Sequence, residues 1–218
     1  MLKVADQHLQ RLPLFPLPSA FLFPRTLLPL HVFEPRYREM IAWCIGRRWP
    51  IAVARIEPGF ERYAAGSPPL VPVAGIGEIV HHQKLEGGRY NIVVRGLARV
   101  SLTGEHPPTG PWRVARAELL PDVWPDDRPA LDELVRTAHA CLLRLRPHWT
   151  AIADSLGRSV HTSDPAHLAD VLASTLFEDD SERQGLLECT DVALRLWTAV
   201  ERLSLLVADT APRDEPVQ

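Results

Sequence analysis

The chain has 218 residues, 24 lysines and arginines against 27 aspartates and glutamates, a formal net charge of -3, and 46% hydrophobic residues. That is enough apolar sequence for one large packed domain or two small ones, and the charge gives no overall electrostatic reason to expect binding to nucleic acid or an anionic membrane surface. No apolar run reaches the roughly 18 residues of a membrane span, and the start MLKVADQHLQR has no long apolar core behind its charges, so no secretory signal is expected and a cytoplasmic location is the default.

The stretch from Leu12 to Ile41, LPLFPLPSAFLFPRTLLPLHVFEPRYREMI, is cut by prolines every few residues. Each proline removes a backbone donor and biases its predecessor toward extended geometry, so bent strands are predicted there. At Glu34-Pro35 the pattern changes. Proline suits a first helical turn, and Tyr37, Met40, Ile41 and Cys44 recur at three- and four-residue steps, predicting a helix that ends near Gly46-Arg47-Arg48. Pro50 to Ile56 alternates like a strand, and residues 57–72, with two glycines and four prolines, read as a long loop. Val73 to Leu85 and Arg89 to Val94 flank the turn Glu86-Gly87-Gly88 and predict a hairpin, after which Gly96 predicts a bulge or bend. Arg99 to Thr103 and Trp112 to Leu119 are two further extended pieces.

Beyond Leu120 the pattern turns helical. The linker 121–127 ends in aspartates suited to a helix cap, and Leu131, Val135, Ala138, Leu142 and Leu145 mark a helix that stops before Pro147. Asp164-Pro165 opens another, carrying Leu168, Val171, Leu172 and Leu176. Leu186, Cys189, Ala193, Leu196, Val200, Leu203 and Val207 predict one long helix from about Ser181 to Val207, with Leu187, Leu194, Trp197 and Leu205 widening its packed stripe. Cys44, Cys141 and Cys189 lie far apart in such patterns without a C-x-x-C pair and are expected to be buried free thiols.

In order, LPLFPLP, LFPRTLLPLHVFEPRYREMI, Gly75-Ile-Gly77-Glu-Ile-Val, Gly88-Arg-Tyr-Asn-Ile-Val-Val-Arg-Gly96-Leu-Ala-Arg99, Leu168-Ala-Asp170 and Gln184-Gly-Leu-Leu-Glu188 resemble the Lon substrate-binding domain. This is the N-terminal domain of Lon proteases, which also occurs as a free-standing protein. The resemblance runs from about residue 10 to 208 and implies an α+β fold: a PUA-like β pseudo-barrel with one helix over 10–121, a helical bundle over 122–209 ending in a long helix, and a loose tail over 210–218. It further implies a stand-alone member lacking the ATPase and peptidase domains, without a cofactor. Such a module would recognise unfolded or exposed apolar protein segments in protein quality control, beside an ATP-dependent protease.

The residues carry little that points to catalysis. A phosphate loop needs Gly-Lys-Ser/Thr, and neither Lys3 nor Lys84 follows a glycine. A serine-lysine dyad needs a desolvated lysine, whereas Lys3 belongs to the terminal tail and Lys84 flanks the hairpin turn. His81 and His82 are adjacent on a strand and point to opposite faces, so no metal site is expected from them. Glu34, Arg36 and Arg38 offer either a charged contact surface or an ordinary helix start whose arginines pair locally. Arg95 and Arg99 suggest an anion or partner contact, and with Arg89 and Tyr90 a faint RNA-binding pattern. The strongest protein-binding candidates are Phe60 and Tyr63, large aromatics in an aperiodic loop that would either anchor a partner or plug the barrel. Trp49, Trp112 and Trp124 are expected in core or hinge packing. The alternatives are a small-ligand binder or enzyme with a pocket between barrel and bundle, and an RNA-binding PUA-like module.

Overall fold

A computed structural model describes residues 3–145 and 162–210; most of the expected loose tail, 211–218, lies outside them. The elements run α1 (Asp6–Gln10), β1 (Leu12–Leu17), β2 (Leu27–Val32), α2 (Pro35–Arg47), β3 (Ile51–Arg55), β4 (Val73–Lys84), β5 (Tyr90–Glu105), β6 (Val114–Leu120), α3 (Arg128–Leu145), α4 (Pro165–Leu176), α5 (Asp180–Glu188) and α6 (Val192–Thr210). They form two compact units: residues through Pro121 together with Asp179–Glu188, and Asp122–Glu178 together with the chain from Cys189 onward.

In the first unit the strand order is β2-β5-β4-β3-β1-β6, and β6 also pairs with β5. Strands β5, β4, β3, β1 and β6 therefore close into a five-stranded barrel. The sixteen-residue β5 makes closure possible by pairing β2 along Tyr90–Arg95 and β6 along Arg99–Glu105. All five residues of β3 are buried because its faces serve different cores. Ala52 and Ala54 point into the barrel beside Leu12, Leu14, Ala74, Ile76, Val100, Ala115 and Ala117. Ile51 and Val53 join Phe15, Tyr37, Met40, Ile41, Cys44, Ile92 and Val94 under α2. Alanines dominate the interior because a five-stranded barrel is too narrow for a full set of branched side chains.

The G-x-G of Gly75 and Gly77, and Gly96 opposite, make room for backbone. A Cβ on Gly75 would lie 1.9 Å from the Leu22 carbonyl oxygen, and one on Gly96 would lie 2.0 Å from that of Phe23. The segment 21–24 is laid directly across β4 and β5, and Arg25 N–H donates to the Gly96 carbonyl at 2.9 Å. A register shift between Ile76 and Gly77 supplies the expected bend at the same place.

Helix α5 belongs to this unit. Arg99 Nε donates to the Leu187 carbonyl at 2.9 Å, Arg55 donates to the Asp180 carbonyl at 3.0 Å, and Gln184 donates to the Val73 carbonyl at 3.1 Å. Both ends and the middle of α5 are thus tied to the barrel. The single helix expected from Ser181 to Val207 is two helices. Asp191 interrupts it by accepting from Leu194 N–H at 3.0 Å as a cap, and residues 190–192 bond to Val123 instead of continuing the helix.

The second unit packs α6 against α3 and α4 through Val192, Leu196, Ala199, Val200 and Leu203. Asp164 caps α4 by accepting from Ala166 and His167 N–H, as its Asp-Pro start predicts. At the centre, the fully buried Arg195 donates to the Asp122 carboxylate and the Cys189 carbonyl at 2.7 Å each, with Asp170 at 3.3 Å from its Nε. The packed stripe differs from expectation: Leu194, Trp197 and Leu205 lie on the exposed face of α6. Trp124 is exposed as well, beneath the Arg128 guanidinium. Of the three cysteines, all free thiols, only Cys44 is buried.

Candidate functional site

The loop between β3 and β4 is a built structure. Its base is closed by the Ile56–Leu70 bridge and by Glu57 N–H donating to the Pro69 carbonyl at 3.0 Å. Its far side is held by two arginines from elsewhere. Arg36, in the first turn of α2, donates to the Ala64 and Gly66 carbonyls while pairing with Glu34 at 3.0 Å. Arg113 donates to the Pro68 carbonyl at 2.7 Å and pairs with Glu105. Within the loop, Gly59 takes φ +89°, and its N–H donates to the Glu61 carboxylate at 3.0 Å. Hydrogen bonds from the backbone of Glu61 and Gly59 hold that carboxyl below its ordinary pKa.

This frame presents Phe60 and Tyr63 on either side of a single turn of 3-10 helix, 41% and 49% exposed, with ring centroids 6.2 Å apart. Arg62 lies 4.8 Å from the Tyr63 ring.

The arginines have other employments. Arg36 is the clamp of the loop. Arg95 is paired with Glu78 directly across the β4–β5 ladder at 3.0 Å. The anion contact expected of Arg99 gives way to a structural one: its side chain is 2% exposed, with its Nε on the end of α5. Arg38 donates to the Gly87 carbonyl at the hairpin turn.

A second exposed surface escaped sequence reasoning. Strand β2 is the sheet's edge, and Leu27, Pro29, His31 and Phe33 face outward in strict alternation. His31 stacks on Phe33 at 6.2 Å and bonds Asn91 at 2.7 Å. The period of two is present in the sequence, but which side of the strand stays open depends on the elements packed against it. Pro29 removes one donor from the open edge, which blunts it against indiscriminate strand pairing.

An open groove of about 810 Å³ lies in the same unit, lined by Cys44, Ile45, Trp49, Ile79 and the Glu78–Arg95 pair among others. Burial pushes the Cys44 thiol up to about 12, so it is no nucleophile at neutral pH. Among the described residues, no three His, Cys, Asp or Glu side chains gather at a metal-sized site, and no helix is long and apolar enough to cross a membrane.

Residues 11–204 match the family described as the ATP-dependent protease La (LON) substrate-binding domain. The chain is 34% identical over 190 residues to a Lon protease of Chloroflexus aurantiacus, covering 86% of this chain and 22% of that protein. It is 26% identical over 202 residues to a Lon protease of Desulfosudis oleivorans, covering 91% and 24%. The chain therefore spans about a quarter of the length of these curated relatives. Among solved structures, the N-terminal domain of Mycobacterium avium complex Lon protease superposes with TM-score 0.67 at 20% identity, over 89% of this chain and 98% of that one. The Lon N-terminal domain protein from Xanthomonas campestris superposes with TM-score 0.63 at 23% identity, over 88% and 98%.

Proposed function

The chain belongs to the LON substrate-binding domain family, and from that premise we propose that it is a non-catalytic protein-binding module that captures exposed apolar segments of unfolded proteins through Phe60 and Tyr63. The observation that carries this reading is the pair of half-exposed rings on a loop clamped by Arg36 and Arg113. A rigid aromatic pair loses little entropy on binding, and its contact area is indifferent to the sequence of the segment captured. Arg62 and Glu61 rim the rings with charge of both signs, as the polar edge of a protein contact requires. An ATP-dependent protease is the downstream partner that the family suggests, in the cytoplasm.

The test is binding of a fluorescently labelled, reduced and carboxymethylated protein, permanently unfolded, against the same protein in its native disulfide-bonded form. The chain should bind only the unfolded form. Phe60→Ala with Tyr63→Ala should weaken that binding by at least about tenfold, with the melting temperature unchanged. Equal binding by wild type and double variant removes the loop from the function.

A further inference from the structure

Helix α6 has two apolar faces, and among the described residues only one of them is packed. The packed face is Val192, Leu196, Ala199, Val200 and Leu203. On the opposite side Leu194, Trp197 and Leu205 are 51%, 48% and 64% exposed, and exposed Glu201 and Ala208 share their stripe, while Ser204 at its edge lies 3.9 Å from the Cys141 thiol of α3. At 100° per residue, positions 194, 197, 201, 205 and 208 fall within about a quarter of the helix circumference. Leu194 and Trp197, three residues apart, and Leu205, eight further on, leave apolar surface along one helix face that an amphipathic helix can cover.

The charge on that stripe selects the occupant. Glu201 sits at its middle, equidistant in sequence from Leu194 and Ala208 and from Trp197 and Leu205. Any in-register two-fold pairing of this face with its own copy, parallel or antiparallel, therefore sets Glu201 against Glu201 in the centre of an apolar contact. Like charges there oppose association, whereas a cation turns the same position into an attraction. We propose that the outer face of α6 is a docking site for an amphipathic helix of another protein that carries a lysine or arginine at the centre of its apolar stripe. The site lies in the helical unit, and it is independent of the Phe60 and Tyr63 loop.

The probe is a pair of labelled amphipathic peptides of about 20 residues, leucine-striped at steps of three and four, identical except for a central lysine in one and a central glutamate in the other. Fluorescence anisotropy is read against the whole chain. The lysine peptide should bind about tenfold tighter than its twin, and Glu201→Lys should reverse the preference. Trp197→Asp, exposed and so compatible with folding, should weaken binding by at least about tenfold, while the Phe60→Ala/Tyr63→Ala variant should bind as wild type does. Equal binding of the two peptides, saturation by neither at about 1 mM, or indifference to Trp197→Asp overturns the proposal. Sedimentation that reveals a dimer of the chain dissolved by Trp197→Asp also overturns it, by assigning the face to a second copy.

Discussion

At the scale of single residues, the glycines separate into those that the fold requires and those that it merely tolerates. Gly75 has no room for a methyl group, because the nearest atom to its Cβ would be the Leu22 backbone oxygen at 1.9 Å, which no rotamer change can move. Gly46, inside α2, would meet nothing within 4 Å. Denaturant unfolding should therefore find Gly75→Ala destabilised by about 2–4 kcal/mol. Gly46→Ala should be stabilised by about 0.5–1 kcal/mol through helix propensity. A Gly75→Ala protein as stable as wild type would mean that the segment 21–24 does not cross the sheet there. Neither role is visible from spacing, since G-x-G in a strand equally suits a bulge, a kink or a close approach.

At the scale of elements, α5 and α6 show how a continuous apolar stripe can hide a break. In an uninterrupted helix the carbonyls of Leu187 and Cys189 would accept from the amides four residues on. They accept instead from two buried guanidiniums, that of Arg99, 88 residues away on β5, and that of Arg195, six residues on in α6. Arg99→Met keeps the bulk and loses the donor, leaving a buried carbonyl without its partner. It should cost about 2–4 kcal/mol and raise hydrogen exchange in residues 180–188 ahead of the sheet. Unchanged exchange in α5 would show that the arginine does not anchor it. Within the candidate site the pattern is similar. Residues 57–72 were legible as a long loop with two aromatics, but the carbonyls that Arg36 and Arg113 hold carry no sequence signature.

At the scale of the molecule, the two units should respond separately. Arg195→Met takes the guanidinium away from Asp170, 1% exposed, a loss of about 3–5 kcal/mol that belongs to the helical unit. Amides in 122–145, 165–176 and 192–210 should exchange faster, while residues 180–188 keep the protection of the barrel; loss of protection in 180–188 together with the helices would place α5 with them. By itself the sequence determined the order of the strands, the helices α2, α3 and α4, the caps at Asp127 and Asp164, the strand-to-helix corner at Pro35 and the family, because these rest on local periodicity, proline and glycine geometry, and motif order. Closure of the barrel through β5, the sharing of α5 with the β-unit, the burial of Arg99 and Arg195 and the exposure of Leu194, Trp197 and Phe33 were decided only by tertiary structure. An apolar stripe says that a face can be buried; which neighbour covers it, or whether any does, depends on residues distant in the chain.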